Sequence, residues 1–408
     1  MTSADYPARI GLEQALQIVS ARAALHRMPV ETIDLLSAYG RVLAQDIRGS
    51  HDLPPFANSA MDGFALRGGD LATTGEHAFA LVGDVFAGAT SVPEIGVDEC
   101  ARVTTGAPIP HGADTVVMKE NARVAGNRVF VGVGEKPGAN VRPAGEDFAA
   151  GVLALPRGTM LRAPQLAVLA SLGCARVSVH SAPRAVVIVT GNELVPVDRP
   201  LGFGQIHDSN GVMLASLLRE AGAQVVLQSH VRDEPDALRN ALLDAAAQAD
   251  LIISSGGVSA GEADHLPDVL AKLGEIHFHK VRLKPGMPTL FGQIGTSLYF
   301  GLPGNPVSSA VTFHLFARLV LRKMLGEIKV SEVRRARLAE PVSKSHKRAE
   351  LLRCVLRSDE NGVLWADTHA RQGSGMLRGL AESNALALLP EDACELERGD
   401  VVTVWPYG

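Results

Sequence analysis

Charged side chains that could meet at one site recur through the middle of this sequence. Glu193, Asp233 and Asp264 each follow an apolar run and sit in a loop. Carboxylates at corresponding loop ends can ligate Mg²⁺, which takes oxygen ligands and keeps waters for a phosphate. The same side chains can instead cap helices, a common task for Asp and Glu. Lys280, Arg282 and Lys284 occupy alternate positions before Pro285-Gly286-Met287-Pro288. On a strand they share one face, where like charges need water or an anion. Lys284 precedes a proline, so it falls where the strand ends and is best placed to reach an oxyanion.

The stretch 251–264 joins these groups. Leu251, Ile252 and Ile253 form a short branched run, too short for a helix. Gly256, Gly257 and Gly261 permit the tight backbone of a loop around an anion. Glu262 and Asp264 suit the first turn of the helix that follows. A carboxylate beside an anion loop calls for a cation between them. Further on, Gly301-Leu302-Pro303-Gly304-Asn305-Pro306 makes a stiff turn into a helix start, fit to hold an anion or a planar ring, or simply to connect. Weaker candidates lie at the edges: Asp62, Thr105-Gly106-Ala107, Glu146-Asp147, Arg353 and Gln372-Gly373-Ser374. Turn chemistry is the plain alternative for these acids, and a surface cation for Arg353. His277 and His279 flank Phe278 and read as surface residues.

The elements that must position these groups fall into four blocks. Residues 11–25 predict a helix, with Leu12, Ala15, Leu16 and Val19 on one face. Residues 54–148 read as an inserted β-rich domain, its short apolar runs divided by glycine and proline. Asp62 and Asp147 flank it and could approach one another at its base. Residues 1–53 and 149–182 form the helical unit that receives the insertion, with a helix from Arg162 to a stop at Gly173. Residues 183–326 alternate strands and helices, which implies a mainly parallel sheet with ligands beyond the C-terminal strand ends. Residues 327–408 return to strands, with Asn361-Gly362 as a hairpin signal, and predict a small barrel or sandwich.

Bulk properties narrow the function. A net charge of −5 and an aromatic content of 4% argue against a nucleic-acid surface and base-stacking platforms. The four cysteines are dispersed, so a disulfide framework or zinc ribbon is not expected and a reducing cytoplasm is the default. No secretion signal or membrane-length run is evident. The GxSxG, HExxH and Walker A patterns are absent, which argues against a serine-hydrolase elbow, a zincin and P-loop ATP hydrolysis.

Taken in order, Asn58-Ser59-Ala60-Met61-Asp62-Gly63, Thr105-Gly106-Ala107-Pro108, Gly145-Glu146-Asp147, Gly256-Gly257-Val258-Ser259 through Asp264, Lys284-Pro285-Gly286 and the Gly301 to Pro306 turn resemble the molybdopterin molybdenumtransferase family, which includes MoeA and the gephyrin E domain. The resemblance spans essentially the whole chain. It implies a three-layer molybdopterin-binding α/β domain with a helical dimerisation region, an inserted β domain and a C-terminal β-barrel. It implies a homodimer whose site is shared between subunits, turning adenylylated molybdopterin and molybdate into molybdenum-molybdopterin and AMP with Mg²⁺. By matching positions, Asp62, Thr105, Asp147, Glu193, Asp233 and Asp264 would be catalytic, and Asp233, Asp264 and Glu193 metal-associated. Gly256, Gly257, Ser259, Lys280, Lys284, Pro303, Pro306, Arg353 and Ser374 would meet substrate or molybdate. Molybdopterin adenylyltransferase and molybdoenzyme-maturation proteins are further implied partners. Two departures stand out. Asn192 sits where the family often has Asp, and Met287 sits where many members carry the second lysine of Lys-Pro-Gly-Lys-Pro.

Two other readings of the residues remain. An adenylyltransferase would use the α/β domain alone. A non-catalytic scaffold or pterin-binding protein would show a large apolar patch on the C-terminal domain.

Overall fold

The computed structural model describes residues 7–258, 265–328, 333–368 and 371–407. Its centre is a seven-stranded sheet in the order Ala8–Ile10, Glu275–Val281, Leu290–Ile294, Ser297–Leu302, Leu251–Ser255, Arg184–Thr190, Gln224–Val231. The last four strands run parallel, as the strand–helix alternation predicts. Glu275–Val281, Leu290–Ile294 and Ser297–Leu302 form an antiparallel meander, so the sheet is mixed.

The unbroken apolar runs follow from burial on both faces. Val187, Val189, Leu251 and Ile253 face one core, shared with Leu214 and Leu218 of Ser209–Glu220 and with Phe316 and Val320. The alternating residues Val186, Ile188 and Ile252 face the other, against Leu238 and Leu242 of Pro235–Ala246 and Leu266 and Leu270 of Leu266–Leu273.

Within residues 1–53, expected in the unit that receives the insertion, Ala8–Ile10 pairs in parallel with the edge of the central sheet. The helix Leu12–Ala23 follows and buries Leu12, Ala15, Val19 and Ala23 in the core that holds Phe316. An amphipathic stripe shows that a helix must be covered, not which surface covers it. The receiving unit proper begins near Val30. Val30–Asp34 pairs with Arg176–His180, and Ile47–Arg48 with Leu153–Leu155. With the helix Ala163–Ser171 they enclose Leu43, Leu161, Leu169 and Val179. It is richer in strand than the sequence implies.

The inserted domain is a six-stranded sheet in the order Thr115–Met118, Gly63–Leu66, Glu99–Val103, Glu76–Val85, Arg128–Gly132, Ala122–Ala125. Its two connections run side by side, with Asn58–Ser59 paired to Val141–Arg142 and Leu53 bridged to Phe148. At the other end of the chain, Ala349–Ser358, Leu364–Asp367, Arg334–Leu338, Val401–Pro406 and Ala385–Leu389 pair in turn, and the last returns to the first, closing a barrel. Gly362 takes φ +77° in the predicted hairpin. Leu283–Lys284 adds to this barrel beside Ala349 and Glu350, which ties it to the α/β domain. No helix among the described residues is long and apolar enough to cross a membrane.

Phe316 is fully buried where the first helix meets the sheet. Phe316→Ala is expected to lower unfolding free energy in urea by about 3–5 kcal/mol. An unchanged urea midpoint would show that this helix does not depend on that core.

Candidate functional site

Neighbouring parallel strands end together, and their loops converge. Ser255 ends Leu251–Ser255, and its hydroxyl donates to Pro303 O at 3.2 Å. Asn210, in the first turn of Ser209–Glu220, donates through Nδ2 to Ser255 Oγ at 2.8 Å and Gly304 O at 2.7 Å. Ser309 Oγ also donates to Pro303 O. Asp208 caps this helix, accepting from Gly211 N at 2.8 Å. Gly256 then turns at φ +100°, and a Cβ there would lie 2.6 Å from Thr190 O. Only glycine fits.

These loops enclose a cleft of about 460 Å³. Glu193, Asp233, Gly256, Gly257, Pro303 and Pro306, all singled out in the sequence, line it. Asp208 and Asn210 line it too and were missed. Asp208 three residues before Gly211 at a helix start was a legible capping signal; the clamp made by Asn210 was not, because it joins chain segments distant in sequence. Three buried oxygens of residues in this lining have no hydrogen-bond partner among the described residues: Thr190 Oγ1, Asn210 Oδ1 and Asp233 Oδ1. Buried polar atoms are almost always paired, so a cleft lined by three unpaired ones is shaped for a polar ligand. A larger groove of about 590 Å³ lies elsewhere, between the first helix and the barrel, walled by Leu16, Leu315, Leu319 and Trp405. It holds no glycine turn and no carboxylate pair, so the smaller cleft is the better site.

Ser259 and Asp264 lie outside the described residues. Among the described residues no group of three or more His, Cys, Asp or Glu is arranged to hold a metal. Asp233 with its unpaired oxygen and the exposed Glu193 on the same cleft fit a partial oxygen site for Mg²⁺.

The basic triplet does not share one strand face. Lys280 has φ +71°, which breaks the alternation, and Leu283–Lys284 has left the central sheet for the barrel. Arg282 is engaged by Glu391 at 2.9 Å and by Arg9 O at 3.1 Å. Lys284 Nζ lies 2.9 Å from Glu350 Oε1. Neither Lys280 nor Lys284 lines the cleft, although Pro288 of their loop does.

Arg353 is not a surface cation: it is 0% exposed. Its guanidinium donates to Arg371 O and Gly373 O, and Gln372 bonds both its backbone N and O. Arg353 therefore shapes the 371–373 loop rather than facing solvent. That loop sets Ser374, whose Oγ accepts from Asn305 Nδ2 at 3.1 Å, beside the Pro306 turn. His277 and His279 are also buried, at 5% and 8% exposure, because their strand is flanked on both edges and covered on both faces. His279 Nε2 lies 3.3 Å from Val258 O, under the glycine turn.

In the inserted domain, Asp62 and Thr105 do meet. Asp62 Oδ1 accepts from Thr105 N at 2.8 Å and from Thr105 Oγ1 at 2.9 Å. The Thr105 backbone N–H, then its hydroxyl, then Lys119 hold this carboxyl below the ordinary carboxylate value. Asp147 lines a separate depression with Asn58 and Arg142. None of these lines the α/β cleft of the same chain.

Comparison with known proteins divides the chain into three regions. Residues 10–173 match the MoeA N-terminal region (domain I and II), 186–323 the probable molybdopterin binding domain family, and 335–407 the MoeA C-terminal region (domain IV). A molybdopterin molybdenumtransferase of Nostoc sp. is 38% identical over 383 residues, covering 92% of this chain and 88% of that protein. One from Haemophilus influenzae is 34% identical, covering 92% and 94%. The crystal structure of a molybdopterin biosynthesis MoeA protein from Pyrococcus horikoshii superposes with a TM-score of 0.83 at 29% identity, covering 98% and 100%.

A depressed carboxylate pKa contributes stability above the ordinary value, and that contribution is lost as pH falls through the depressed one. Thr105→Val deletes the hydroxyl donor and keeps the backbone N–H. The Asp62 pKa, followed by NMR, is expected to rise yet stay below the ordinary value. No change would deny the Thr105 hydroxyl a role in holding the carboxylate.

Proposed function

The chain belongs to the molybdopterin molybdenumtransferase family, enzymes of molybdenum cofactor biosynthesis, and on that premise we propose that it inserts molybdate into adenylylated molybdopterin with release of AMP. The observation that carries this reading is the cleft with its three unpaired buried oxygens beside the glycine turn. An adenylylated pterin brings hydroxyl and amide N–H donors able to pair with such acceptor oxygens. The glycine turn lets the ligand's phosphate approach the backbone, and the rigid Pro303 to Pro306 turn holds the opposite wall. Asn210 fixes the two walls relative to each other, so the ligand meets a preorganised cleft.

Asp233 and Glu193, with Asp264, are the residues that would hold Mg²⁺. When bound, Mg²⁺ supplies positive charge to the phosphate oxygens. Lys284 is the cation proposed to meet molybdate, a tetrahedral dianion. Among the described residues nothing in the site offers an activated nucleophile of the chain's own, so the proposed contribution is positioning and electrostatics.

The working form is proposed to be a homodimer in the cytoplasm. Asp62, Thr105 and Asp147 stand apart from the cleft of their own chain, and a second copy would bring its inserted domain to that cleft. An adenylyltransferase accounts for the α/β domain alone, whereas similarity to the Nostoc transferase spans 92% of the chain.

Purified protein given adenylylated molybdopterin and Mg²⁺ is expected to release AMP in a molybdate-dependent way. AMP release indifferent to molybdate would sink the insertion reading. Asp233→Asn is expected to slow molybdate-dependent release by at least about tenfold. Full turnover in that variant would remove Asp233 from the site.

A further inference from the structure

Glu193 and Asp233 reach the cleft from two different strand ends, and a side chain outside the cleft ties those ends together. Glu193 follows the strand Arg184–Thr190, and Asp233 follows Gln224–Val231, the edge strand of the central sheet. The two strands run parallel, with Val189 opposite His230 and Thr190 opposite Val231. His230 therefore stands level with the start of the Glu193 turn, just ahead of Asp233 on its own strand. Its Nε2 lies 2.7 Å from Gly191 O. A carbonyl only accepts, so Nε2 is the nitrogen that carries the proton. His230 is exposed and does not line the cleft. An exposed imidazole is free to bond water; this one donates to the backbone of the turn that carries a cleft carboxylate.

Gly191 is where that turn takes its direction. Its φ is +150°, and a Cβ there would stand 2.8 Å from both carboxylate oxygens of Glu193. The Glu193 carboxylate thus folds back over the glycine whose carbonyl His230 holds. Gly191 O also accepts from Leu194 N at 3.2 Å. On the far side, Ile206 N donates to Glu193 O at 3.0 Å, and Leu194–Val195 pairs with Ile206–His207. The turn is pinned at Glu193 by Ile206 and at Gly191 by His230.

We propose that His230 is a positioning residue for the divalent metal of the cleft: by holding Gly191 it fixes the Glu193 turn against the strand end that carries Asp233, and so sets the span between the two carboxylates. This rests on the assignment of Glu193 and Asp233 to Mg²⁺ in the proposed function. His230 itself touches neither metal nor substrate. Mg²⁺ demands near-ideal octahedral oxygen geometry, so carboxylates on two separate loops serve it only when their separation is held. Groups one shell out that orient a ligand therefore count in metal affinity.

The test is titration of Mn²⁺, which shares the oxygen-ligand preference of Mg²⁺, into the full chain, with free Mn²⁺ read by electron paramagnetic resonance. His230→Ala is expected to weaken Mn²⁺ binding by about tenfold, the lower end of what losing an outer partner costs. His230→Gln keeps a side-chain N–H donor and is expected to recover most of the affinity. In turnover, His230→Ala should raise the half-saturating Mg²⁺ concentration and leave that of molybdate unchanged. The effect of His230→Ala on Mn²⁺ should also disappear in a Glu193→Gln background, which a general loosening of the fold does not predict. Wild-type Mn²⁺ affinity in His230→Ala, no better affinity in His230→Gln than in His230→Ala, or an equal loss with and without Glu193 overturns the assignment. If Asp233→Asn and Glu193→Gln weaken Mn²⁺ binding while His230→Ala does not, only the His230 inference falls. If neither carboxylate variant changes Mn²⁺ binding, the metal assignment falls and this inference with it.

Discussion

The constraint on which the cleft depends lies where Leu251–Ser255 ends. Gly256 must pass within 2.6 Å of the Thr190 carbonyl, measured from where a Cβ would stand, so the chain turns there without a side chain. Asn210 bridges Ser255 to Gly304 on the facing loop. Together they set the two walls of the cleft at a fixed separation. The surrounding architecture serves this. Apolar strands buried on both faces hold the ends level, and the start of the helix Ser209–Glu220 supplies both Asn210 and Asp208. The clamp also consumes most of the polar capacity nearby. Among the described residues, Thr190 Oγ1, Asn210 Oδ1 and Asp233 Oδ1 remain buried and unpaired in the cleft wall. A desolvated oxygen without a partner is costly, so a ligand that satisfies it gains on binding.

A second dependence runs through the barrel. Leu283–Lys284 leaves the central sheet and joins the strand that begins at Ala349. That single join brings Glu350 to Lys284 and Arg348 to Met287. It also brings the buried Arg353 to the loop that seats Ser374 against Asn305. The C-terminal domain thus shapes the rim of the α/β domain, and the charges of the Lys284 loop belong to both.

Much of this was legible in the sequence because it is local. The branched run at Val186 to Val189, the hairpin at Gly362 and the rigid turn at Pro303 and Pro306 each follow from propensity and backbone chemistry within a few residues. Glu193, Asp233, Gly256 and Gly257 were identified as strand-end residues, and they line one cleft. What failed was long-range. Lys280, Arg282 and Lys284 alternate in sequence, but a positive φ at Lys280 and a change of sheet at Leu283 separate them. Arg353 and His277 are polar residues on apparently ordinary strands, and burial depends on what covers a strand. The first helix showed its apolar face, but the core that receives it is built from residues 300 positions away. Asn210 carries no signal of its own, since its partners come from two other loops.

The proposed homodimer makes the cleft one half of a site and the inserted domain of a second copy the other. This arrangement is tested by mixing two variants each expected to be strongly impaired, Asp62→Ala and Asp233→Asn, after dissociation and reassociation, and measuring molybdate-dependent AMP release. A mixed dimer would contain one cleft with Asp233 facing one inserted domain with Asp62. Recovery to roughly a quarter of wild-type activity is the expected result for random pairing of twofold dimers. A mixture that forms mixed dimers and stays as inactive as its parents would contradict the shared site.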